Sequence, residues 1–251
     1  MAAHLTAHEK DTFIRDGIIV RRNAIPPELI VTARQLIDRW LSRDMDLTRV
    51  DAYTQRTFAP DLGDHPDILA LFDQSGVADL VASLIRRTAP VTTAQIQIRL
   101  PAVAGGTHQP VKAMHVDGVA CPHHNPAELR TFTLLAGVVL SPISAPDAGA
   151  LHYVPGGHLA MAEWFRSEWS LGMTEQVPPH IGTQHGEPVL AQPGDLLLMH
   201  HLVPHAVGHN ASSEPRVVAY FRISHERHHQ QRLDALRDPW REYEPLQPLL
   251  A

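Results

Sequence analysis

The sequence predicts a mainly β fold with helices (α+β), in which helices pack on a closed or two-sheet antiparallel β core. Three observations point there. The first stretch, about residues 1-90, carries amphipathic helical patterns. From about 91 to 225 the chain breaks into short β-like runs separated by Pro and Gly. No internal repeat, low-complexity tract or linker divides the 251 residues. Barrels and sandwiches often reach roughly 200–250 residues as one unit. One domain is therefore expected, with an insertion at about 159-187 and a C-terminal tail at 226-251.

Taken in order, Thr6 and Glu9 have capping-box spacing, Phe13 and Ile14 are the apolar residues that follow, and Gly17 ends the helix. Ile18-Ile19-Val20 reads as a short strand. Pro26 and Pro27 open a helix whose apolar residues, from Leu29 and Ile30 to Trp40 and Leu41, repeat every 3.6 residues. Two shorter helices fit 67-72 and 77-85. The β runs fall at 93-100, 112-115, 131-141, 150-154, 188-191, 195-200 and 216-224.

Composition removes several classes of function. Twenty-one Lys and Arg against 27 Asp and Glu leave a formal charge of −6, which argues against a nucleic-acid partner. The longest apolar run, Leu134 to Leu140, is seven residues, whereas a spanning helix needs about 20. No membrane segment is expected. The opening Met-Ala-Ala-His-Leu-Thr lacks the features of a secretion signal, and the single cysteine, Cys121, cannot pair internally. A cytoplasmic protein is the expectation. The count of 18 histidines is high, and histidine is the commonest metal ligand.

Two stretches could carry chemistry. In Met114-His115-Val116-Asp117-Gly118, side chains two apart in an extended segment point to one side, so His115 and Asp117 can reach one point. In the second, Gly194-Asp195 launches an apolar strand that runs into His200, His201, Pro204, His205, His209 and Asn210. A further apolar strand then begins at Arg216. A guanidinium pointing into the core there would cost several kcal/mol unless an anion met it. A carboxylate ligand would do so, and a strand-end arginine with its head in solvent is the alternative.

Together these stretches resemble the phytanoyl-CoA dioxygenase family of Fe(II)/2-oxoglutarate oxygenases. The family pattern is a His-x-Asp pair, a distant His in a Pro/Gly-rich loop, an Asn, and an Arg eleven residues after that His. His115, Asp117, His205, Asn210 and Arg216 stand at those positions. The segment from Asp147 and Gly149 through Leu151 to Pro155-Gly156-Gly157-His158 is similar to another family landmark. The N-terminal helix, strand and Pro-Pro helix also match.

The resemblance implies a double-stranded β-helix (jelly roll, cupin-like) with N-terminal helices packed on it. It implies iron(II) held by His115, Asp117 and His205, and 2-oxoglutarate reaching Arg216 with its far carboxylate. Gln97, Asn210 and Thr133 are expected as further co-substrate contacts. With dioxygen, 2-oxoglutarate would be decarboxylated to succinate and CO2 while an unactivated C–H of a small organic molecule is hydroxylated or otherwise oxidised. Related halogenases lack the carboxylate that Asp117 provides, so hydroxylation or desaturation is expected rather than chlorination.

Other residues admit competing readings. His200 and His201 lie close enough to His205 to compete as the third ligand, but only His205 has the family spacing to Arg216. His158 is expected to anchor a loop. Gln95 and Gln97 share one side of their strand, as do Thr131 and Thr133, and either side could face the barrel interior or solvent. Lys112, Trp164, Tyr220 and Arg222 are candidate substrate contacts, and His108 with Lys112 points to an acidic or polar substrate. His123 and His124 follow Cys121-Pro122, yet without a second cysteine a structural zinc site is not expected.

His225-Glu226-Arg227-His228-His229 satisfies the H-E-x-x-H pattern of zinc proteases, but residues 225-232 have no apolar side and read as a solvated terminus. The insertion at 159-187 could cover the barrel mouth or form a contact in a homodimer. Two other functions compete with the oxygenase. One is a non-catalytic, cupin-like metal- or ligand-binding protein; the other is a zinc metalloprotease.

Overall fold

A computed structural model describes residues 4–102, 109–121 and 124–250. Helix α1 (Ala7–Asp16) begins at Thr6, whose hydroxyl accepts from the Glu9 amide while the Glu9 carboxylate accepts from the Thr6 N–H at 2.8 Å. This reciprocal cap satisfies two otherwise unpaired donors. The helix stops at Gly17, in the left-handed region, and strand β1 (Ile18–Arg21) follows at once. Helix α2 (Pro27–Arg43) buries Ile30, Ala33, Ile37 and Trp40 along one stripe. Short helices α3 (Val50–Gln55), α4 (Pro66–Asp73) and α5 (Val77–Ala82) complete the layer, and α3 has no counterpart in the sequence reading.

The strands are β2 (Gln95–Arg99), β3 (Leu134–Val139), β4 (Leu151–Tyr153), β5 (Glu187–Pro188), β6 (Leu196–His200), β7 (His205–Val207) and β8 (Arg216–Ile223). Helices α6 (Gly157–Ser167) and α7 (Pro179–Gly182) lie between β4 and β5. Two antiparallel sheets result, one ordered β1-β6-β3-β8-β2 and the other β5-β4-β7.

Alternation decides which way each residue of the large sheet faces. Ile96, Ile98, Leu134, Ala136, Val138, Leu198, Val217, Ala219 and Phe221 join the helical layer in the main core. Leu135, Val139, Leu197, Met199, Val218 and Tyr220 face the other way and pack with Leu151 and Val189 from the segments around the small sheet. The space between the sheets is therefore apolar at one end and open to polar side chains at the other.

Two expectations fail. Residues 112-115 form no strand; only His115 bridges to His205, because the following Asp117-Gly118 turns the chain away. Nor is the C-terminal segment solvated. Helices α8 (His228–Arg237) and α9 (Gln247–Leu250) fold back, and Tyr243 and Leu246 enter the main core fully buried. The sequence hides this because the buried residue in the first turn of α8, His228, is polar, and the apolar Ala235 and Leu236 are buried only two turns further on. His228 lies 2.8 Å from the Glu242 carboxylate, and both side chains are almost wholly enclosed. No helix among the described residues is long and apolar enough to cross a membrane.

Candidate active site

His115 and His205 sit opposite each other on an antiparallel bridge, with reciprocal backbone hydrogen bonds of 3.1 and 2.9 Å and ring centroids 4.8 Å apart. Each ring is oriented in the same way. His115 Nδ1 donates to the Ala113 carbonyl at 2.9 Å, and His205 Nδ1 donates to the Val203 carbonyl at 3.0 Å. That assignment leaves both Nε2 atoms as free acceptors, the form a metal requires. The Asp117 carboxylate lies 3.7 Å from His115 Nε2.

One ligand atom from each of the three residues lies within 4.8 Å of the others, the only such group of metal-binding side chains found among the described residues. Electrostatics keeps the set ready for a cation. Burial, and then the adjacent His205, push His115 down to about 4. Burial alone would raise the Asp117 carboxyl. Arg222, at 3.0 Å, and the two histidines outweigh it and hold the group well below the usual carboxylate range.

The three residues line one cavity of about 780 Å³, counted with its open mouth. Gln95, Gln97 and Arg99 of β2 face Tyr220, Val218 and Arg216 of β8 in direct register, so one row of side chains runs along the cavity wall. Gln97 sends its amide to the Arg56 carbonyl at 2.8 Å.

Arg216 is 2% exposed, gives one N–H to the Tyr220 hydroxyl at 2.9 Å, and leaves its buried Nε without a partner. Arg99, also buried, donates to the Pro110 and Val207 carbonyls at 2.9 and 3.0 Å. Burial and the neighbouring Arg216 pull the Arg99 guanidinium down to about 10. Neither arginine has an ion pair among the described residues. Two enclosed cations without a counter-ion, one with an unused donor, fit a carboxylate ligand. Two glycines shape this wall. A Cβ on Gly149 would stand 3.0 Å from Arg99 Cβ and 3.2 Å from Arg216 Cβ, and one on Gly137 would strike the Tyr220 ring at 2.6 Å.

Other expected contacts lie elsewhere. The Thr133 hydroxyl points away from the cavity. It donates to Glu242, lies beside His228 and accepts from the His225 amide at 2.8 Å. Asn210 is buried behind Arg99, where its amide donates to the Arg99 and Glu214 carbonyls and its carbonyl accepts from Ser212. It closes a turn and does not reach the cavity. Trp164 packs in an apolar cluster with Val116 and Leu202, outside the cavity, whereas Lys112, Tyr220 and Arg222 do line it. His108 and His123 lie outside the described residues.

The competing histidines are all engaged. His200 donates to the Pro239 carbonyl at 2.7 Å and accepts from the Leu202 amide, and His201 donates to the Thr133 carbonyl at 3.0 Å. His158 reaches the Ile14 carbonyl at 3.2 Å, beneath α1. Of the protease-like motif, His225 binds Glu244, His228 binds Glu242, and His229 is exposed. These side chains share no point where zinc could bind. Arg99 is the residue that sequence reasoning missed. Its signal was present, because Gln95-x-Gln97-x-Arg99 alternates onto one face.

The sequence model of phytanoyl-CoA dioxygenase (PhyH) matches residues 13–218. The chain belongs to the phytanoyl-CoA dioxygenase family. Its fold is the cupin-like jelly roll of Fe(II)/2-oxoglutarate oxygenases, and the cofactors of this class are iron(II) and 2-oxoglutarate, with dioxygen.

Solved structures with the same fold include the non-heme α-ketoglutarate-dependent epimerase SnoN from nogalamycin biosynthesis. It has TM-score 0.64 and 16% identity, over 87% of this chain and 80% of that one. HygX from Streptomyces hygroscopicus, with nickel and 2-oxoglutarate bound, gives 0.60 and 17% over 89% and 88%. EctD from S. alaskensis, with 2-oxoglutarate and 5-hydroxyectoine, gives 0.63 and 18% over 88% and 76%. No curated protein sequence matches the chain.

Proposed function

We propose that this member of the phytanoyl-CoA dioxygenase family is a single-domain hydroxylase that inserts oxygen into an unactivated C–H bond of a small organic molecule. One observation carries the reading. A two-histidine, one-carboxylate group and a buried, unpaired guanidinium pair line the same cavity. His115, Asp117 and His205 are the residues that would hold iron(II). When bound, iron and 2-oxoglutarate supply the oxidising power that no side chain provides.

The chain's own residues position and shield. The Ala113 and Val203 carbonyls fix the two imidazoles, and Arg222 orients the Asp117 carboxylate. Arg216, with Arg99 beside it, would take the far carboxylate of 2-oxoglutarate, while Leu135, Leu151 and Val207 keep the wall between them dry. Asp117 would give the metal a carboxylate that related halogenases lack, which supports oxygenation over halogenation. Structures of HygX with hygromycin B and of EctD with 5-hydroxyectoine support a small-molecule substrate here as well. The single cysteine suits a cytoplasmic setting.

Anaerobic addition of Fe(II) and 2-oxoglutarate to metal-free protein should produce a weak visible charge-transfer band, absent in Asp117→Ala and His205→Ala. Uptake of metal and 2-oxoglutarate without any succinate release would favour a binding protein instead. Product mass decides the outcome of turnover: hydroxylation adds one oxygen atom, cyclisation removes two hydrogens, and epimerisation changes nothing.

A further inference from the structure

The charges lining the cavity do not balance. Among the described residues, Arg56, Arg99, Lys112, Arg216 and Arg222 exceed the one carboxylate, Asp117, by four positive charges. The whole chain has the opposite sign, at −6. Iron(II) and the 2-oxoglutarate dianion would cancel each other and leave that excess in place. The excess is also divided in space. Arg99 and Arg216 are buried at the deep end, whereas Arg56, Lys112 and Arg222 are exposed.

At the exposed end, Arg222 has one acidic partner, Asp117, which the metal would share. Arg56 and Lys112 have no ion pair among the described residues. Gln95 and Gln97 continue the polar wall between the two ends. A cleft of one sign concentrates ligands of the other.

On the oxygenase reading above, we propose that the primary substrate is an organic oxyanion, a carboxylate or phosphate ester, whose charged group is held at the cavity mouth by Lys112 and Arg56. Its remaining atoms extend past Gln95 and Gln97 toward the metal ligands. Arg222 faces the same space from β8 and adds to the attraction while it holds Asp117. A neutral substrate would leave the mouth cations unused, and a cationic one would be repelled by all of them. Among the described residues nothing at the mouth offers an acid to receive an amine, since Asp117 is the only carboxylate of theirs that lines the cavity.

The test uses protein loaded with Ni(II) and saturating 2-oxoglutarate, so that the deep arginines are already occupied. Acetate, inorganic phosphate, acetamide and methylammonium are titrated calorimetrically at constant ionic strength. Acetate or phosphate should bind and the other two should not; which anion binds more tightly separates a carboxylate substrate from a phosphate ester. The Arg56→Gln/Lys112→Gln double variant should bind the anion about fivefold more weakly or worse. Lys112→Arg, which keeps the charge, should retain it.

Equal binding of acetate and acetamide, preference for methylammonium, or undiminished binding in the double variant overturns the proposal. A failure of the oxygenase reading shows itself earlier, as no uptake of Ni(II) and 2-oxoglutarate before any probe is added, and removes the basis of this one too.

Discussion

Arg99 and Arg216 stand directly opposite each other across β2 and β8, two buried guanidinium groups with no carboxylate paired to either among the described residues. Their hydrogen bonds divide the work. Arg99 ties the Pro110 carbonyl, ahead of His115, to the Val207 carbonyl, just after His205. Arg216 keeps a donor in reserve. The two like charges repel in a setting where water screens them little, so an anion that lands on Arg216 would offset that repulsion.

Arg216→Ala should therefore weaken 2-oxoglutarate binding roughly 10- to 100-fold, the equivalent of losing about 1.5–3 kcal/mol in charge-assisted hydrogen bonds. Calorimetric titration of 2-oxoglutarate into Ni(II)-loaded protein measures it directly. Unchanged affinity would place the anion site elsewhere.

Gly149→Ala should harm the same site without touching a ligand. Its φ of +72° is left-handed, and the new methyl would press on the stems of both arginines. The backbone penalty is about 1–2 kcal/mol. We expect lower stability in urea together with weaker 2-oxoglutarate binding; a loss of stability alone would mean that the arginines yield to the methyl.

Acid should destabilise the metal-free protein over a defined window. Burial is the first cause that lowers His158 and His201 to about 4, from an ordinary 6.5. Above pH 6.5 these groups are neutral whether the chain is folded or not, and they add no pH dependence. Between 6.5 and about 4 the unfolded chain takes up protons that the folded one refuses, so stability falls as pH falls. The slope approaches about 1.4 kcal/mol per pH unit for each group. Urea unfolding across that window, with chelator present, should give a shallower slope for His158→Phe than for the parent. Equal slopes would show that His158 does not titrate as described.

The C-terminal return should also be sensitive. Glu242→Ala removes the acceptor shared by His228, Thr133 and Gln231, all within or beside the core, at a cost of roughly 3–5 kcal/mol. The exposed pair between Arg87 and Glu226 offers the contrast, and Glu226→Ala should change the melting temperature little. Comparable effects from both variants would contradict the buried network.

How far the sequence could be read depends on the kind of signal. The cap at Thr6 and Glu9, the stop at Gly17 and the stripe along α2 are local, and each appears where the residues place it. His115, Asp117 and His205 were named by the resemblance to the family pattern, since spacing alone left His200 and His201 in contention, and the fold brings a nitrogen or oxygen of each within 4.8 Å of the others. Arg99 was only half legible: alternation puts it on the face of Gln97, but its place opposite Arg216 depends on strand pairing, which is not written in either strand alone. Thr133 was misplaced for a related reason. It precedes β3, where the returning C-terminal segment covers the strand end, and that segment looked solvated because His225, His228 and Glu242 are buried by pairing with polar groups rather than by apolar character. Asn210 looked like a ligand from its position in the motif, yet its side chain is spent on closing its own turn.

The bridge between His115 and His205 joins parts of the chain that are far apart in sequence, with both the large-sheet strand β3 and the whole of α6 lying between them. The two imidazoles meet only where the strands around them are paired, so on the proposed reading the polypeptide would shape the metal site before an ion arrived. An ion arriving there would fasten one long loop shut, and by the logic of loop closure would slow the opening of the small sheet more than it would hasten its formation.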